Sequence, residues 1–242
     1  MLKSEVIGTK LRPHYTMPHG SGGHDISHVE RMIARGPRIA EVTGLVFDHD
    51  EFAAAVWLHN IDRGAAVRGV SDIASLEQIV RIQLTETDFD NAAKDRIVDA
   101  VLQHNKKDDA PGDSTLLQAV RIADKLDRLG PLGVLSAAAF RGSELPLYDP
   151  KQPFGYTSTA EGETMKTVYI DLFRVMEWVG MLPSDQARSL IDREDVTAFI
   201  SFVRSLGREI ARQCNVPNKI EDDIKKALGP FYDRYANANA QF

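Results

Sequence analysis

The chain is long enough, at 242 residues, to bury a sizeable core, and 43% hydrophobic with 26% charged residues is the composition of a folded protein, not a disordered one. A net charge of -6 at pH 7 argues against a surface built for a nucleic-acid polymer, yet leaves room for a small basic pocket around a phosphate. The single cysteine, Cys214, excludes an intrachain disulfide, and no apolar run has the length of a membrane span; a cytoplasmic chain with no membrane partner is expected.

In chain order, residues 1–22 are expected to be irregular, because Pro13, Pro18 and the run from Gly20 to Gly23 interrupt any periodicity. A helix begins near Asp25 or Ile26, carries Val29, Met32, Ile33 and Ile39 on one face and stops at Gly44. Asp48 caps the next, whose Phe52, Ala55, Val56 and Leu58 run into His59. The segment from Arg63 to Val70 reads as a loop. Helices follow over Asp72 to Leu84 and Asn91 to Gln103, then a polar loop from Asn105 to Gly112, then a helix from Ser114 carrying Leu116, Leu117, Val120, Ile122 and Ala123 to Asp124. A short helix follows Pro131.

The stretch from about Gly142 to Ser158 is rich in Pro and Gly, long enough for a lid over a substrate or for a disordered loop. From Glu161 to Ala236 the pattern gives long helices broken near Pro183 and Pro217. Strand signals are scarce, so residues 23–242 are expected to form a single all-α domain, a helical bundle. Its C-terminal apolar faces serve either a core or a homodimer.

Polar groups recur at the inner ends of apolar helices: His59-Asn60, His104 and Asp124, with His24, Asp25 and His28 near the start of another helix. Buried imidazoles and carboxylates are costly unless they are paired, hydrogen-bonded or bound to a metal. Convergence on a divalent cation is one solution, seen in other bundle cores. Asp25 could equally be a helix cap, and each histidine taken singly could be an ordinary hydrogen-bonded side chain.

His28, then His59 with Asn60, then Asp124 on successive helices resemble the signature of the HD superfamily of metal-dependent phosphohydrolases, in which position 60 is Asp. The flanks match: an apolar helix leads into His59, and Asp124 is followed by the run from Lys125 to Gly130. Further pieces, from Gly133 to Phe140, from Leu147 to Pro150 and at Thr164-Met165, resemble the compact branch that includes small nucleotide pyrophosphatases. The resemblance covers roughly residues 20–210.

It implies an HD-type helical bundle holding one divalent ion (manganese, magnesium, cobalt or another first-row metal) on His28, His59, Asn60 and Asp124. The implied substrate is a small phosphorylated compound, a nucleotide in first place. Asp62 is expected to position or activate water, His104 to donate to a phosphate or leaving group, and Arg63 and Lys125 to hold phosphate oxygens. His24 and Asp25 are candidates for orienting the ligands. Tyr148, Phe154 and Tyr156 could stack on a base or merely pack the long loop.

Asn60 departs from the pattern. Its amide oxygen can ligate a cation but brings no negative charge. Weaker metal binding and slower hydrolysis are expected, and a non-catalytic protein that binds a nucleotide or a partner is the alternative. A di-iron oxygenase would need further histidine ligands, for which only His104 and His24 are on hand.

Overall fold

A computed structural model describes residues 2–16, 23–61, 72–106, 110, 112–142, 144–157 and 166–236. Among them there is no β-strand, so the expected all-helical architecture is found. The contacts cluster into two compact units, Met1–Asp124 and Lys125–Phe242. The division falls inside a helix, Thr115–Asp127, which is why composition marks no linker.

The first unit contains α1 (Lys3–Thr16), α2 (Ile26–Thr43), α3 (His49–Leu58), α4 (Ile73–Leu84), α5 (Asn91–Gln103) and most of α6 (Thr115–Asp127). Aspartates start four of these. Asp25, Asp48, Asp72 and Asp90 each accept hydrogen bonds from backbone N–H groups of the first turn, which satisfies donors that a helix leaves open. Gly44 ends α2 in the left-handed region, φ 72°, and its N–H reaches the Ala40 carbonyl.

α3 is the central rod. Every residue from Glu51 to Leu58 is buried, and α1, α2 and α5 pack around it. Its polar start is held by Arg96 of α5, whose guanidinium donates to both Glu51 oxygens, at 2.9 and 2.5 Å.

Helix α1 corrects the expectation of an irregular segment over residues 1–22. Its open N–H groups at Lys3 and Ser4 donate to the Asp50 carboxylate of α3, at 2.8 and 2.9 Å. Ile7 and Leu11 are buried, and Gly8 lies so close to Trp57 that a Cβ there would sit 2.7 Å from the ring. Pro13 is accommodated near the helix end, and Tyr15 Oη donates to the Trp57 carbonyl. The cap comes from another helix, so local sequence does not announce it.

The second unit contains α7 (Pro131–Arg141), α8 (Val168–Glu177), α9 (Asp185–Arg188), α10 (Arg193–Cys214), α11 (Ile220–Leu228) and α12 (Tyr232–Ala236). The apolar face of α10 (Val196, Phe199, Ile200, Val203, Ile210) is buried, and α7, α11 and α12 pack on that helix; this face is core.

The loop over residues 144–157 is packed down at its C-terminal end. Phe154 and Tyr156 are buried, and Tyr156 stacks on Phe173 with ring centroids 5.2 Å apart. The Asp223 carboxylate accepts from the N–H groups of Gly155 and Tyr156, at 3.3 and 3.1 Å. Tyr148 Oη donates to Gln213 at 2.9 Å. Phe154 and Tyr156 are therefore packing groups.

Candidate metal centre

The C-terminal end of α3 delivers His59 to the interior. As the C-cap residue it turns its ring back, and Nδ1–H donates to the Val56 carbonyl at 2.6 Å. That bond fixes the tautomer and turns Nε2 outward with its lone pair. α5 repeats the device: its C-cap, His104, is buried and donates through Nδ1 to the Val101 carbonyl at 2.7 Å. Both run Val-x-x-His-Asn, at Val56–Asn60 and Val101–Asn105.

His28 enters from the first turn of α2 and is buried. Asp25 is the N-cap of that helix, accepting from the His28 N–H at 3.0 Å and from Ser27 Oγ at 2.6 Å. Asp25 thus sets the helix start from which His28 projects, through the backbone.

Nε2 of His28 lies 3.2 Å from Nε2 of His59 and 3.4 Å from Oδ1 of Asp124. One ligand atom from each of His28, His59 and Asp124 lies within 4.8 Å of the others. Bonds of about 2.1 Å to one cation place neighbouring donor atoms roughly 3–3.5 Å apart, so these two separations fit a shared ion. The chemistry fits as well: two imidazoles and a carboxylate suit first-row divalent metals.

His59 is held in the form a metal needs. Burial pushes its pKa well below the ordinary 6.5, and the neighbouring rings of His104 and His28 add to the shift. A neutral ring with a free lone pair is a ligand; an imidazolium is not.

The other expected residues fall around this cluster to different degrees. Asn60 is buried beside His59, with its amide Nδ2 2.6 Å from the His59 Nε2. The His104 ring centroid is 5.2 Å from that of His59, and the His24 centroid is 5.9 Å from that of His28. Lys125 is buried and follows Asp124 in α6. Asp62 and Arg63 lie outside the described residues.

Sequence reasoning passed over Arg121. It is fully buried, three residues before Asp124 on α6, and binds the end of α5: Nη2 donates to the Gln103 carbonyl at 3.0 Å and Nη1 to Asp113 at 2.6 Å. Gln103 is the last residue of α5, next to His104. The guanidinium therefore ties the helix that supplies Asp124 to the one that supplies His104. The signal was present as an arginine inside the apolar run of α6, between Val120 and Ile122.

No family model matches the chain, and no curated protein matches it. Solved structures do. A Lactobacillus plantarum protein solved in a structural genomics programme superposes with a TM-score of 0.70 at 19% identity, over 88% of this chain and 100% of that one. YpgQ of Bacillus subtilis, in complex with ADP, gives 0.57 at 21% identity over 86% and 97%. The selenomethionine form of YpgQ gives 0.56 at 18% identity over 86% and 93%. The chain shares their fold. At these identities the likeness is one of fold, and no helix among the described residues is long and apolar enough to cross a membrane.

Proposed function

We propose that the chain is a metal-dependent phosphohydrolase of the HD type acting on a small phosphorylated compound, a nucleotide in first place. The observation that carries this reading is the convergence of His28, His59 and Asp124, three groups from three helices whose ligand atoms fit one cation. ADP in the structure of YpgQ supports a nucleotide.

In this reading His28, His59, Asp124 and the amide oxygen of Asn60 hold one first-row divalent ion. When bound, such an ion polarises a phosphoryl oxygen and acidifies water. The protein's own groups do the rest. With its Nδ1–H committed to the Val101 carbonyl, His104 donates from Nε2 to a phosphate or leaving-group oxygen as an imidazolium. Asp62 positions the attacking water and takes its proton, while Arg63 and Lys125 neutralise phosphate oxygens.

A second reading, a nucleotide-binding protein without turnover, is favoured by one observation: a neutral amide stands at position 60. Phosphate or pyrophosphate release from a nucleotide panel with added manganese, for the wild-type chain and for Asn60→Asp, separates the two. Release by either protein supports the hydrolase reading, with the larger rate expected from Asn60→Asp. Tight nucleotide binding without release in both supports the second.

A further inference from the structure

We propose that Asn60 is a latch on the metal centre: its amide nitrogen closes the site when no metal is bound, and its amide oxygen joins the ligands when metal enters. The proposal rests on the metal-centre reading above and concerns how this chain's own side chain controls it.

The starting point is the tautomer of His59. Its Nδ1–H is spent on the Val56 carbonyl, so the neutral ring offers only a lone pair at Nε2. Burial keeps that lone pair from water, and a buried acceptor needs a donor. The amide Nδ2 of Asn60 stands 2.6 Å away and supplies one, nearer than the Nε2 of His28 at 3.2 Å. An aspartate of the same shape has no N–H to give. It would set a buried carboxylate against a lone pair instead.

The hydrogen bond and a metal bond need the same pair of electrons on the same atom, so they exclude each other. Asn60 carries both an N–H donor and an oxygen acceptor on one planar group, and a half-turn of the amide exchanges them. The His59 lone pair is thus satisfied within the metal-free centre, and an entering cation must displace an internal hydrogen bond. Breaking that bond raises the metal concentration needed to fill the site in this chain, whereas an aspartate would offer no such bond and would add a negative charge that favours the cation.

The test follows the Asn60 side-chain amide by NMR in the 15N-labelled full chain at pH 8, with its resonance assigned by its absence from Asn60→Asp. In the metal-free protein one amide proton is expected far downfield and slow to exchange. Titration with zinc ion, which is diamagnetic, should abolish that signature in step with shifts of the His28 and His59 rings. In parallel, Asn60→Asp should unfold several degrees lower than wild type in chelator, yet bind zinc about 3- to 10-fold more tightly.

An amide proton that exchanges as in solvent, or one that stays put while zinc shifts both rings, overturns the latch alone. An equal or higher unfolding midpoint for metal-free Asn60→Asp also overturns it. No ring response to zinc in either protein overturns the metal-centre reading, and the latch with it.

Discussion

The two units bury polar groups for different ends. In Met1–Asp124 a group of buried polar side chains gathers at helix ends: His28, His59, His104 and Asn60 are all nearly inaccessible and adjoin one another. In Lys125–Phe242 the buried carboxylate of Asp223 faces backbone, holding the loop at Gly155 and Tyr156 against an aromatic layer. Both arrangements bury polar groups, but among the described residues only the first brings several metal-ligating atoms to one point. Burial of polar groups alone does not mark a site; their convergence does.

The largest effect that sharpens this contrast is expected at Arg121. Replacing it with alanine leaves the Gln103 carbonyl without its donor, leaves Asp113 with only the Ala110 N–H and removes a buried cation, at about 3–5 kcal/mol of stability. It should also weaken metal binding, because the ends of α5 and α6 lose their tie. Phe173→Ala in the second unit should cost a similar amount, about 3–5 kcal/mol, through the lost ring and the cavity. Metal affinity should stay unchanged there. Chemical denaturation monitored by circular dichroism, with metal titrations at native conditions, checks both; equal effects on metal affinity would remove the distinction between the units.

A smaller effect is expected where each unit closes a polar end. Asp223→Ala leaves the Gly155 and Tyr156 N–H groups without their acceptor, at about 1–3 kcal/mol. Asp48→Ala removes the cap of α3 at about 1 kcal/mol, and by fraying the rod it should loosen His59 slightly. Hydrogen exchange at residues 154–156 and at the first turn of α3 reads the two separately.

The smallest effect is a difference in acid response. In the first unit the Ala110 N–H and the Arg121 guanidinium hold Asp113 below its ordinary 3.8. Its ionised form stabilises the fold above that value, and the contribution is lost as pH falls through 3.8 toward the depressed folded value. In the second unit burial raises Asp223 above 3.8 despite its two N–H donors, and burial likewise raises Asp171. For these the folded state binds the proton more tightly, so stability rises as pH falls through the raised values toward 3.8. Trp57 and Trp178 are the only tryptophans in the chain, one in each unit. Unfolding of Trp57→Phe and Trp178→Phe, followed by the remaining indole, should show the first unit weakening relative to the second on acidification toward pH 3; parallel behaviour would contradict the assignment.

Much of the helical frame was legible because its signals are local. Asp48, Asp72 and the pattern from Asn91 to Gln103 mark elements that form where the spacing places them, since cap and apolar face lie within a few residues. α1 was not legible: Asp50, 47 residues from Lys3, supplies its cap. The order of His28, His59 and Asp124 pointed to a centre through resemblance, while their approach to 3.2 and 3.4 Å is a tertiary fact. The His59 tautomer lies between, since the turn back to Val56 is local and recurs at His104. The role of Arg121 depends on three chain segments and had no local cue beyond a charge among apolar neighbours.

The central claim is that His28, His59 and Asp124 hold one cation. Manganese bound per chain after equilibrium dialysis, compared between the wild-type chain and a His28→Ala variant of unchanged circular dichroism, tests it most directly. The account predicts saturable binding of a single equivalent that His28→Ala abolishes. Equal manganese in both proteins would contradict it.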